Sequence, residues 1–193
     1  MNTGQWFRSS EGTGWWFDSG ALCLDFAYTG SMGSNPDWEQ FRAPSDLGVW
    51  LAGRFDRATA VATEGDVVDA LALRSAIANI AHAMSDSREP GSDDIDTINL
   101  YAATPNIPPA LAGGGRQAGR SSVRVGQALA TIARDAVTLF GEVGPGRIRE
   151  CAADDCQLIF YDESRSNNRR WCSMQRCGNR SKVRAHRARG TTR

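Results

Sequence analysis

The chain has 193 residues, with 22 Lys and Arg balanced by 22 Asp and Glu and with 41 % apolar residues. That length suits one cored domain and a small appendage. No uninterrupted apolar run approaches the ~18 residues of a membrane span, and residues 1–30 lack the basic start and apolar run of a secretory signal.

The aromatics Trp6, Phe7, Trp15, Trp16 and Phe17 lie among Gly, Ser and Arg. They predict an irregular start, a short extended segment near 15–17, and a packing role for the rings. Over 20–30, Leu22, Leu24 and Phe26 share a period-two face, but Leu22, Phe26 and Thr29 also sit at helical spacing, and a short helix is the preferred reading. Cys23, flanked by leucines, reads as a core thiol. Asp25 in the same apolar run needs a partner if buried. It is a candidate ligand site or structural site, capping a helix, pairing with an arginine or facing a cleft.

A loop over 30–41 containing Asn35-Pro36 leads to a helix over 46–52, with Ser45 as N-cap and Leu47, Trp50 and Leu51 as its apolar side. Asp66 is the expected N-cap of a helix reaching about residue 86, whose Leu73, Ile77, Ile80 and Met84 form a buried stripe. Arg74 and Arg88 read as solvated, and His82 as a packing or surface residue. A further helix starts near Asp93 and ends at Thr104-Pro105. The Gly-rich stretch from 108 has no Gly-Lys-Ser/Thr run, so a phosphate-binding P-loop is rejected; a loop ending in a short strand over 121–125 is expected instead. Gln127–Phe140 is the last helix of this region, with Gly141 as its stop signal and Gly144-Pro145-Gly146 as the boundary between a domain over 1–144 and one over 145–193.

The charge is unevenly placed. Residues 165–193 hold ten Lys or Arg and no acid, leaving 12 basic and 22 acidic groups, a formal −10, in the 164 before them. Such polarity predicts a polyanion-binding face or a tail docked on its own body. Four of the five cysteines, Cys151, Cys156, Cys172 and Cys177, form two C-x4-C pairs. Two such turns supply the thiolates of a closed, tetrahedral, structural zinc site; two disulfides or four unrelated thiols are the alternatives. Strands over 157–162 and 169–172, joined by a polar turn, precede Cys177. Gly178 then permits a tight turn, and Asn179 caps a helix to about Arg189, with Val183 facing the metal core. This order of thiolate pair, hairpin, thiolate pair and helix resembles a treble-clef finger. Arg180, Arg184 and Arg187 fall on one helix face, flanked by Lys182, His186 and Arg189, while Arg169 and Arg170 add to the charge. Repeated cations suit phosphate.

The run from Leu158 to Arg189, with Arg169 to Met174 and Cys177-Gly178-Asn179-Arg180, resembles the CGNR zinc-finger family. Gly20–Gly30 (GALCLDFAYTG) resembles the opening of the ABATE domain that precedes this finger. The resemblance implies a bacterial, stress-induced transcription regulator. The combined reading is a mainly α-helical N-terminal domain with minor β-structure, plus a small treble-clef-like, four-cysteine zinc finger of β-hairpin and helix holding one structural Zn2+. The expected function is DNA binding in the cytoplasm, at the nucleoid. RNA binding is a close variant, and a zinc-stabilised protein-interaction adaptor or homodimer is the alternative. An enzyme is not expected, because nothing pairs Asp25, Asp18 and Arg42 as acid and base.

Overall fold

The computed structural model describes residues 3–8, 12–30, 32, 38–58, 61–109, 111, 122–144 and 146–190, except for the side chains of 185 and 188–190. Residues 35–36 and the glycine-rich 112–121 lie outside that description.

The aromatic start forms an antiparallel hairpin, β1 (Gln5–Arg8) with β2 (Gly14–Phe17), in which Trp6 faces Trp16 and Phe7 faces Trp15. The period-two alternation of a strand sorts the rings. Phe7, Trp15 and Phe17 are buried, while Trp6 on the opposite face is 72 % exposed. Only the second strand is readable from the sequence; the first is defined by its partner.

The helical layer follows. Helix α1 (Leu22–Ala27) is buried along its whole length. Helix α2 (Pro44–Arg54) begins at Pro44, and its cap differs from the expectation: Ser45 lies inside the helix, and the Asp46 carboxylate accepts the backbone N–H groups of Arg42 and Ala43, each at 2.9 Å. Helix α3 (Glu64–Ser85) also starts earlier than predicted. Thr63 is its N-cap and Asp66 the third residue of a reciprocal capping box: Thr63 Oγ1 accepts from Asp66 N–H and Asp66 accepts from Thr63 N–H. Helices α4 (Ser92–Ala102) and α5 (Val125–Glu142) complete the layer, α5 running past Gly141 to end at Val143. The strand expected over 121–125 is reduced to a single parallel bridge between Val123 and Ala58.

Helix α3 is the hub, packed against α1, α2, α4 and α5. Among the described residues it is the one helix long and apolar enough by composition to cross a membrane. Here its apolar stripe of Ala70, Leu73, Ile77, Ile80 and Ala81 is buried against the other helices. Burying each of its larger aliphatic side chains stabilises the fold by about 1.5–3 kcal/mol.

The C-terminal part adds β3 (Ile148–Glu150), β4 (Ile159–Tyr161), a π-helical turn (Met174–Gly178) and α6 (Asn179–Gly190). The strand pairing corrects the sequence reading: β4 pairs antiparallel with β3, Ile148 opposite Tyr161 and Glu150 opposite Ile159, and residues 169–172 are not a strand. The first cysteine pair folds the chain back on itself, which brings its two flanks together. Ile148, Leu158, Ile159 and Phe160 belong to the same buried cluster as the helices, so one core runs through both parts.

Candidate metal centre and the basic helix

Cys151 closes β3 and Cys156 precedes β4. The turn between them is fixed by Cys151 N–H to Leu158 O (2.8 Å) and Cys156 N–H to Ala153 O (2.9 Å). The second pair is presented differently. Cys172 lies beyond β4, and Cys177 projects from the π-helical turn, closed by Gly178 N–H to Ser173 O at 3.0 Å. Such a wide turn changes the phase of the helix locally and aims one side chain inward.

All four Sγ atoms lie within 4.8 Å of one another and all four residues are buried. Cys156 and Cys172 sulfurs are 3.7 Å apart, and those of Cys172 and Cys177 3.5 Å apart. With Zn–S bonds of about 2.3 Å, a tetrahedron has S···S edges of about 3.8 Å. The donor set therefore fits zinc and fills all four positions, leaving none for water or substrate. Hydrogen-bond donors to the sulfurs are in place as well: Cys172 N–H points at Cys151 Sγ (3.3 Å), and Arg180 Nη2 at Cys177 Sγ (3.2 Å). That bond to sulfur is the main reason the Arg180 pKa is raised. The Cys151 thiol is held low by hydrogen bonds from the Cys156 and Cys172 thiols, and Cys156 is pushed up to about 12 by the Cys151 sulfur. Cys172 is likewise pushed up by the Cys151 and Cys156 sulfurs, so without a cation the crowded thiols share protons instead of ionising together, and a metal would have to displace those protons.

The start of α6 corrects three expectations. Asn179 is already helical and its amide donates to Gln175 O (3.3 Å), so Ser173, not Asn179, caps the helical run. Gly178 does not make a tight turn. A Cβ there would lie 2.9 Å from the Met174 sulfur and 3.3 Å from the Trp171 ring, so a larger residue would require the exposed Met174 side chain to move. Val183 does not face the metal core either; it is 49 % exposed.

The predicted nucleic-acid residues divide into groups. Lys182, His186 and Arg187 are exposed along α6, whereas the side chain of Arg189 lies outside the described residues. Arg180 and Arg184 both reach Asp155, at 3.0 and 3.1 Å, and Arg184 also approaches Asp154 at 3.9 Å. Arg170 is exposed and lies over the half-buried Trp171 ring. Arg169 is turned inward: it stacks on Phe160, 4.1 Å from the ring centre, and donates to the carbonyls of Asp18, Trp171 and Cys172.

Asp25 is fully buried, and its oxygens are used within the fold. They accept from Gly4 N–H (2.6 Å), Ser19 Oγ (2.6 Å) and Arg54 Nη1 (3.2 Å). Burial outweighs these bonds and raises its pKa. The three contacts join the hairpin, α1 and α2 at one point. Asp18 accepts from Thr3 Oγ1 and Gly20 N–H, whereas Arg42 donates to Glu39 O. Cys23 is buried with its thiol pKa pushed well up by desolvation, which makes it unreactive.

Sequence reasoning missed the contacts that join the finger to the helices. Tyr28 Oη donates to Ile159 O (2.9 Å) and accepts from Ile159 N–H (2.6 Å). Ser19 O accepts from Tyr161 N–H (2.8 Å), and Gly20 has φ +85° with space for a Cβ only 2.7 Å from Tyr161 O. Arg176 lies 3.6 Å over the Trp15 ring. A tyrosine in an apolar run is the one available signal, since a buried hydroxyl needs a partner. Asp162 is a second missed anchor: despite burial, the N–H groups of Ser164 and Arg169 and the nearby Arg149 hold its pKa low. Arg74, read as solvated, instead makes a two-pronged contact with Glu39, at 2.9 and 2.6 Å.

A helical domain fused through a shared core to a buried centre of four cysteines defines a zinc-stabilised protein, in which the metal holds shape. Comparison with known families agrees. The family model described as "CGNR zinc finger" matches residues 147–190, and the ABATE model, described as "putative stress-induced transcription regulator", matches residues 20–143. The chain belongs to the ABATE family and carries a CGNR zinc finger. Both matches and the four-cysteine cluster describe a zinc-binding, regulatory role. No curated protein matches the chain.

Proposed function

We infer that this protein is a DNA-binding transcription regulator of the bacterial cytoplasm whose α6 contacts nucleic acid through the phosphate backbone. The carrying observation is the basic helix itself: Lys182, Arg184, His186 and Arg187 are exposed on an element anchored at its start by Cys177. No acidic residue occurs from 165 to the end of the chain; of these four, Arg184 reaches Asp155 in the first cysteine turn. Zinc fixes the helix and performs no chemistry. Phosphate contacts supply affinity and position, and base recognition requires further contacts in a groove. Arg169 is set aside from the interface, because its donors already serve backbone carbonyls.

The test is binding of zinc-loaded protein to random-sequence duplex DNA and to single-stranded RNA across a salt series. Each phosphate met by a cation contributes about 0.9 to the slope on duplex DNA and about 0.7 on single strands. A Lys182→Glu/Arg184→Glu/Arg187→Glu variant with unchanged zinc content should lose binding. Preferential salt-sensitive binding to RNA would move the assignment to RNA. Negligible binding to either nucleic acid by both proteins at low salt would overturn the contact.

The adaptor reading has one observation of its own, the pairing of Arg180 and Arg184 with Asp155. Cations that meet carboxylates at home can also meet those of a protein partner or a second copy of this chain. Failure of nucleic-acid binding would put that reading first.

A further inference from the structure

We propose that the helical domain carries a binding site for a neutral, predominantly apolar small molecule, in the open cleft lined by α3, α4, α5 and the start of the finger. The cavity has a volume of about 580 Å³, within the range of small-molecule sites. Its floor is apolar and deeply buried: Ile80 from α3, Ile98 from α4, Ala136 from α5 and Ile148 from β3 line it, each no more than 3 % exposed. Ala136, Gly141 and Gly146 also line it and take up little of the space.

Two aliphatic side chains that line the cavity, Ile95 of α4 and Val137 of α5, are 41 % and 43 % exposed and so mark its mouth. A ligand seated between them would remove that surface from water, the main driving force for association of apolar molecules.

The rim bears on the charge of the ligand. Arg88 is the cation at the edge, and its guanidinium is already engaged by Asp86 at 2.9 Å. Glu89 lies on the same rim. Arg88 and Glu89 put one charge of each sign on the rim, so neither an anion nor a cation is selected there, and the apolar floor favours a neutral body. The neutral hydrogen-bonding groups of Ser87 and Asn99 remain, which suit a single hydroxyl, carbonyl or amide on an otherwise hydrocarbon body.

Because Ile148 forms part of the floor, an occupant touches the strand that leads into the first zinc ligand. Binding here stands independently of whether α6 meets nucleic acid.

The probe is N-phenyl-1-naphthylamine, a neutral apolar fluorophore, titrated into the zinc-loaded full chain. Saturable binding of one probe per chain is expected, together with slowed amide exchange at Ile148. Ile95→Trp, which fills the mouth from α4, and Val137→Glu, which charges it from α5, should each weaken binding by about tenfold or more, a loss of ~1.4 kcal/mol. Val68→Glu, at an exposed aliphatic of α3 outside the cavity, should bind as the parent does. Both mouth positions are solvent-exposed, and retained helicity and zinc content qualify each variant. Non-saturating uptake, or saturable binding that survives whichever mouth variants stay folded, would overturn the site.

Discussion

Arg180 sits between two anions: one guanidinium nitrogen is 3.0 Å from Asp155 and the other 3.2 Å from the Cys177 sulfur. Arg184 shares the same carboxylate at 3.1 Å, so under the proposed nucleic-acid contact Asp155 would compete with phosphate for both arginines. Both partners are substantially exposed, at 38 % and 43 % for Arg180 and Asp155, so each pair is worth only about 0.2–1 kcal/mol. Asp155→Asn should raise DNA affinity by about two- to fivefold and steepen the salt dependence. Titrations of parent and variant at several salt concentrations measure both, and equal affinity would show that Asp155 does not compete.

Zinc removal should disassemble the C-terminal part, since four buried sulfurs would otherwise face one another without the metal, and the Arg180 guanidinium reaches only Cys177 at hydrogen-bond distance. We expect one Zn2+ per chain by elemental analysis, and chelation should abolish the structure of the finger cooperatively. Cys172→Ser should lose the metal, whereas Cys23→Ser, whose thiol is no part of the cluster, should retain it. Zinc retained at full stoichiometry by the Cys172 variant would contradict the ligand set.

Tyr28→Phe should cost about 2–3 kcal/mol, because it leaves both backbone polar groups of buried Ile159 without their partner. Tyr101→Phe provides the comparison. Its hydroxyl bonds Asp69 at a solvent-exposed position, and its loss should be well under half as large. Denaturant midpoints at unchanged slope measure the two.

Two carboxylates should give acid-limb slopes of opposite sign. Glu39 is held below the ordinary glutamate range by its hydrogen bonds from Arg74. Its contribution is present above about pH 4.3 and lost as pH falls through the depressed value. Asp25 is raised by burial, so its contribution is complete below about pH 3.9 and declines as pH rises through the raised value. Relative to parent, Glu39→Gln should therefore lose most stability above the ordinary glutamate range, with the difference shrinking in acid. For Asp25→Asn the deficit should grow in acid instead. Stability curves between about pH 3 and pH 7 test both signs at once.

What could be read in the sequence is what repeats locally. The two C-x4-C pairs, the apolar stripe of α3 and the apolar run of α1 each announce themselves within a few turns of chain. What could not be read depends on partners far away. β4 pairs with β3 across the cysteine turn rather than with 169–172, because Asp162 and Arg169 tie the second loop down by backbone and side-chain bonds that leave no periodic trace. Arg169 and Arg74 look like surface cations by type; each is defined by an aromatic ring and acceptors contributed elsewhere. At Thr63 the capping box is visible as Thr-x-x-Asp, but Asp66 serves equally well as a cap in isolation.

The seam through Tyr28, Gly20 and Trp15 has a further consequence. Zinc fingers are often treated as beads, exchangeable between proteins on a flexible string. This one has no such independence: cut free, it would turn Ile159 and Phe160 out to water and strand the Ile159 peptide without its tyrosine. The helical domain and the finger must therefore be transplanted, or diversify, as a single unit.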